Sequence, residues 1–376
     1  MSGPITATRA DQERYNAILR KFASGAGMTE EDLAFHVEFQ NRNVHPGLAI
    51  DDMAPDFALP DQHGRTRRLH DLIGPNGMIL SFIRTTWWCP YCRNQSKELD
   101  LAKDLVGEKG ITVAAITPDP VDIHRQCAEA YGLRYPLLSD EGSTVIEAYG
   151  IINHAIPEDV PSQRYRMPFP GIYLLDRDGI VRSAAFLANY EHRRSATVPV
   201  MARFGVSGGV PSTRISVEGA TIDLALSTAK AFPGHELGLT CTIAPDMGYA
   251  VETAGEAVPA IALAPELLAH APSPLPHERA VAKGTHAFDT LVPLRWSAPT
   301  EFDYIRGVEH LARERIAPGM YELRGTVSAI LRAPAGEAVP VTAPFALPFQ
   351  IMANVARPAG LGPSLADLSK LAQSDS

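Results

Sequence analysis

Cys89 and Cys92 stand three residues apart in Cys89-Pro90-Tyr91-Cys92. Residues at that spacing on a helix have Cβ atoms ~5–6 Å apart, from which a disulfide closes with modest adjustment. Proline suits the first position of a helix, because the amide it lacks would be unpaired there. Cys89 is therefore expected at a helix N-terminus, facing free amides and the positive end of the dipole. Those lower a thiol below its usual ~8.5. The expectation is an acidic, exposed nucleophile at Cys89, with Cys92 as its resolving partner and Arg93 adding positive charge nearby. The rival reading is half a zinc site. It needs a second ligand pair, and Cys127 and Cys241 stand alone without a spaced histidine. Neither a metal nor a cofactor is implied.

The elements that must hold this pair are legible around it. Met78 to Ile83 is a continuous apolar run, which reads as a buried strand. Beyond the cysteines Leu99, Leu101, Leu105 and Val106 recur at helical spacing. Ile111 to Thr117 reads as a second central strand, Val121 to Tyr131 as a helix bearing Cys127, and Ser143 to Tyr149 as another helix. Ile172 to Leu175 and Ile180 to Leu187 flank a hairpin turn at Arg177-Asp178-Gly179. Phe57 to Leu59 is expected as a short edge strand. Alternating strands and helices closed by a hairpin give a mixed sheet covered on both faces.

These segments resemble the alkyl hydroperoxide reductase/thiol-specific antioxidant family, the peroxiredoxin-like redoxins of the thioredoxin superfamily. Trp88-Cys89-Pro90-Tyr91-Cys92 between strand and helix resembles the superfamily's active site. From about Ala54 to Asn189, APDFALPDQHGR, ITVAAITPDP, YPLLSDEGSTVIEAYGI and PFPGIYLLDRDGIV are similar to the family's successive segments, in order. The resemblance implies a thioredoxin-like α/β domain and a redox enzyme.

The composition fits. At 376 residues two domains are expected. Apolar residues make up 45% and charged ones 20%, enough for a sizeable core. A net charge of −9 without a basic cluster argues against nucleic acid or an anionic membrane as partner. No apolar run approaches the ~18 residues of a membrane span, and the charged N-terminus lacks a signal-peptide core, so a cytoplasmic location is expected.

Four parts are expected along the chain. Residues 1–49 read as a helical extension: Ala10 to Phe22 carries one apolar face, and Thr29 to Asp32 looks like a capping box. This extension is expected to pack on the redoxin domain or on a second subunit, as in a homodimer. Residues 50–206 form the redoxin domain. Around Ser207 to Pro211 the texture changes, and short alternating strands from 212–352 indicate an all-β sandwich. That part resembles the immunoglobulin-like N-terminal domain of the thiol:disulfide interchange reductase, except that its loop Arg332 to Glu337 lacks the cysteine pair of the resembled domain. It is expected to be a module without redox chemistry, so that a chain ending near Gly205 keeps its thiol reactivity. Cys127 and Cys241 are expected in the core, His270, His277, His286 and His310 on the surface, and a helical segment at Val308 to Arg315. Residues 353–376 read as a polar tail.

Two reactions fit the resemblance. Peroxiredoxins use a Pro-x-x-x-Thr-x-x-Cys segment and a distant arginine to hold the peroxide. Thr86 occupies the threonine position, but Phe82 stands where that proline belongs and Pro170 where the arginine belongs, with Arg164 or Arg166 as substitutes. A proline at that point is what thioredoxins have, in cis and facing the cysteine pair, and Trp88 also matches thioredoxin. The resemblance thus implies exchange with protein or low-molecular-weight disulfides, with reduction of hydroperoxides as the alternative. Either needs a thiol reductant such as a thioredoxin or glutathione. A third reading is a non-catalytic interaction protein.

Overall fold

The computed structural model describes residues 8–23, 28–42, 47–154, 166–187, 191–253, 258–296 and 315–357. Two compact units emerge. Among the described residues, the first holds those up to Arg194 together with 354–357, and the second holds 195–296 and 315–353. The helix expected at Val308 to Arg315 falls, up to residue 314, outside the described residues, as do His45, Arg164, His310 and the tail beyond 357. None of the described helices is long and apolar enough to cross a membrane.

The first unit opens on α1 (Arg9–Ala23) and α2 (Glu30–Arg42). The capping box is formed: Thr29 Oγ1 accepts from Asp32 N at 3.1 Å, and the Asp32 carboxylate accepts from Thr29 N at 3.0 Å. Tyr15, Ile18 and Leu19 pack against Leu33, Phe35 and Phe39 in a small core of their own. Next come the hairpin β1 (Ala58–Pro60) and β2 (Thr66–Arg68) and the short α3 (Leu69–Leu72). The short edge strand expected at Phe57 to Leu59 is found one residue on, paired with β2 in a two-stranded ribbon of its own.

The central sheet takes the order β5-β4-β3-β6-β7. Its strands are β3 (Gly77–Phe82), β4 (Ile111–Thr117), β5 (Leu137–Ser139), β6 (Gly171–Leu175) and β7 (Val181–Ala185). β3 lies at the centre and is buried along its whole length, as its unbroken apolar run requires. It pairs parallel with β4, Phe82 opposite Ile116, and antiparallel with β6. Met78, Leu80 and Phe82 share a core with Ile116, Leu138, Tyr149 and Tyr173. Three helices connect the strands: α4 (Pro90–Gly107), α5 (Val121–Tyr131) and α6 (Thr144–Ala148). α5 ends at Gly132, whose φ of +62° is the left-handed cap that glycine adopts without strain.

Among the described residues the second unit is all-β apart from the helix Thr197–Phe204 and one short 3-10 turn. One sheet runs Ser273–Leu275, His286–Pro293, His235–Pro245, Ala220–Leu226, Ser212–Val217; the other is built on the long hairpin Gly319–Arg332 and Ala338–Ile351. Ile222, Leu224 and Leu226 of the first sheet share one core with Val327, Leu331 and Leu347 of the second, which makes a sandwich. The cysteine-free loop after Arg332 is the tip of that hairpin. His277, expected on the surface, instead lies 3.2 Å from the buried carboxylate of Asp289, which Arg279 also holds.

Candidate active site

The site is built at the end of β3, where the chain leaves the sheet and turns into α4. Cys89 is the N-cap of α4 and Pro90 its first residue, as their order in the sequence predicts. Cys92 lies one turn inside. Both thiols are fully buried, at 0% exposure, so the expectation that Cys89 is the exposed member is corrected. Access is a tertiary property, and the residues packed over the helix start close it here.

Two guanidiniums meet the two sulfurs. Arg84 Nη2 donates to Cys89 Sγ at 3.1 Å, while Arg193 Nη2 lies 3.7 Å from Cys92 Sγ. The sulfurs also hydrogen-bond to each other, so the pair titrates as one system. Burial and the proton it shares with Cys92 push Cys89 well up. Burial pushes Cys92 up as well, yet the hydrogen bond from Cys89 and the charges of Arg84 and Arg193 outweigh it and hold Cys92 well below the ordinary range. One proton is thus lost early and the second late. The sequence expectation assigns the low pKa to Cys89; the cations lower both thiols, and the hydrogen bond that Cys89 gives Cys92 puts the early ionisation on the partner.

The other expected residues have varied surroundings. Trp88 is buried beneath Arg84, whose guanidinium lies 5.7 Å from its ring centre. Arg93 Nη1 donates to the Trp87 carbonyl at 3.1 Å and its Nε to the Val355 carbonyl at 2.9 Å. Pro170 lines a narrow cleft with Gln95, Ile172, His192 and the same Arg193 that lies beside Cys92 Sγ. Its peptide bond is trans, as are all described peptide bonds, and the cis expectation is corrected. Arg166 pairs with Glu147 at 2.6 Å instead of entering the site.

Thr86 is committed elsewhere. Its hydroxyl and its amide both donate to Asp119, at 2.9 and 2.6 Å, and the Thr85 hydroxyl donates to the same carboxylate at 2.9 Å. Asp119 therefore staples the loop that leads into Cys89. Burial pushes its carboxyl from 3.8 to about 6, against the lowering effect of those donors. Nearby, His124 meets Thr117 Oγ1 at 2.8 Å, and burial pushes it from 6.5 down to about 4.

The two groups pull stability in opposite directions. Asp119 binds its proton more tightly folded than unfolded, so its contribution is complete below pH ~4 and lost as pH rises through about 6. His124 binds its proton less tightly folded, so its contribution is complete above about 6.5 and lost as pH falls through about 4. At ~1.36 kcal/mol per pKa unit each effect is about 3 kcal/mol, and they offset. Asp119→Asn should leave stability rising by about 3 kcal/mol between pH 4 and 6.5, read from urea midpoints. A flat profile would refute the assignment.

Sequence reasoning missed Arg84, Arg193 and Asp119. Arg84 stood in view, five residues before Cys89. Arg193 lies 101 residues from Cys92 and carried no signal. Cys127 and Cys241 are buried as expected, and burial pushes both thiols up to about 12, which leaves them inert.

The AhpC/TSA family model matches residues 50–184. The thiol-disulfide oxidoreductase ResA of Bacillus thuringiensis (strain Al Hakam) is 30% identical over 135 residues, covering 36% of this chain and 68% of the relative. The chain belongs to the AhpC/TSA family. A Coxiella burnetii relative named as the peroxiredoxin bcp is 26% identical over 138 residues, 36% of this chain and 85% of its own. The crystal structure of the peroxidoxin BcpB from Mycobacterium tuberculosis is matched over 38% of this chain and 90% of its own, at 25% identity and a TM-score of 0.34. Membership of the AhpC/TSA family makes the protein a redoxin-type oxidoreductase, with Cys89 and Cys92 inside the matched segment.

Proposed function

We propose that Cys89 and Cys92 carry out thiol–disulfide exchange on a protein or low-molecular-weight disulfide. The Cys89 thiolate attacks one substrate sulfur, the substrate S–S bond breaks, and the other sulfur leaves as a thiolate that takes up a proton. The Cys92 thiolate then attacks Cys89 Sγ, the mixed disulfide breaks, and the second substrate sulfur leaves. Two electrons have passed to the substrate, and the enzyme holds a Cys89–Cys92 disulfide. A thiol reductant such as a thioredoxin or glutathione reverses the cycle. Trp88 shapes the approach to Cys89, and Pro170 lines the cleft that it shares with Arg193. The observation that carries this reading is the helix-start dithiol held between two guanidiniums, which lowers the first ionisation of the pair. The name of the Bacillus relative supports it.

A second reading is hydroperoxide reduction. There the Cys89 thiolate attacks one oxygen of the peroxide, the O–O bond breaks with release of an alcohol, and Cys92 condenses with the sulfenic acid, releasing water. Arg84 beside Cys89 and the name of the Coxiella relative favour it. The commitment of the Thr86 hydroxyl to Asp119 weighs against it, because that hydroxyl would have to hold the peroxide. Insulin-disulfide reduction measured beside hydroperoxide consumption, with one reductant, tests both. We expect the first to be the faster; rapid peroxide turnover with negligible insulin reduction would overturn the proposal.

A further inference from the structure

The two residues after Cys92 hold another segment of the chain by its backbone. Asn94 Oδ1 accepts from Val355 N at 2.9 Å, and Arg93 Nε donates to the Val355 carbonyl at 2.9 Å. Both main-chain groups of one residue are thus taken by side chains of the helix that carries the dithiol. Asn94 Nδ2 further donates to Asn354 Oδ1 at 2.8 Å, and the Arg357 guanidinium lies 5.1 Å from the Trp87 ring centre. Residues 354–357 form neither helix nor strand, and they belong to the first unit. The contacts to Val355 read no side chain. Recognition through the main chain suits a polypeptide of unspecified sequence, because every residue but proline offers the same N–H and C=O.

We propose that Arg93 and Asn94 form a main-chain clamp for a polypeptide substrate beside Cys89 and Cys92, and that residues 354–357 occupy it until a substrate displaces them. The proposal rests on the disulfide-exchange reading and names its substrate class as protein. Arg93 is the link between clamp and site, since it holds Val355 with one nitrogen and the Trp87 carbonyl with another.

Val355→Pro removes the N–H that Asn94 accepts and leaves the clamp intact. Binding of a fluorescent, cysteine-free peptide to the oxidised full-length protein is then measured by anisotropy. Val355→Pro should bind about threefold to tenfold more tightly than the wild type, the factor one neutral hydrogen bond supplies. Adding Asn94→Ala should abolish that gain. Asn94→Ser serves as a second variant if the alanine protein does not fold. In turnover, the ratio of kcat/KM for a disulfide-containing peptide over bis(2-hydroxyethyl) disulfide should rise in Val355→Pro. No gain in peptide binding, or a gain that survives loss of Asn94, overturns the clamp. If the wild type reduces no disulfide, the exchange reading fails instead, and the binding measurement still decides the clamp.

Discussion

Cys92→Ser should stop turnover after one attack and accumulate a covalent complex with the substrate disulfide. Cys89→Ser should lower disulfide reduction by at least about a thousandfold, since losing a nucleophile forfeits most of the chemical step. The roles follow from position: Cys89 caps α4, and Cys92 lies a turn inside it. The ionisation of the pair makes the test pointed, because the thiol held low is Cys92. A shared proton reconciles the two, since its transfer between the hydrogen-bonded sulfurs can expose a thiolate at Cys89 as the substrate approaches. Intact-mass measurement after mixing with a disulfide peptide should find the adduct on the Cys92→Ser protein. An adduct that forms only on Cys89→Ser would exchange the roles of nucleophile and resolver.

Arg84→Met should raise the first ionisation of the pair, because an opposite charge within ~4–6 Å typically lowers an acid by about 1–3 units. Arg84 Nη2 sits 3.1 Å from Cys89 Sγ, and both groups are buried, so solvent does little to screen them. At a pH below the first ionisation of the wild-type pair the thiolate fraction, and with it the rate of iodoacetamide labelling, should fall about tenfold to a thousandfold. Arg84→Lys should recover part of the loss, as a point charge without the planar fork. The pH profile of labelling separates this effect from a change in access, which would scale the rate without moving the midpoint. Cys127 and Cys241, both pushed up to about 12 by burial, should stay unlabelled throughout. An unmoved midpoint in Arg84→Met would leave Arg193 and the helix start to account for the low ionisation.

The sequence by itself determined what depends on near neighbours in the chain. The apolar run before Cys89, proline at the first helical position and the three-residue spacing placed the dithiol on a strand–helix junction. The capping box at Thr29 to Asp32 was equally local. Tertiary structure decided whatever depends on residues far apart in sequence. Parallel pairing of β3 with β4 brings the loops at their C-terminal ends together, and so sets Asp119 against Thr85 and Thr86. Arg193 reaches Cys92 across 101 residues, and Val355 reaches Asn94 across 261. The burial of Cys89 was hidden for the same reason, since a thiol's exposure is set by what packs over it. The trans bond at Pro170 is the isomer that X-Pro bonds favour, and the cis expectation rested on the resemblance.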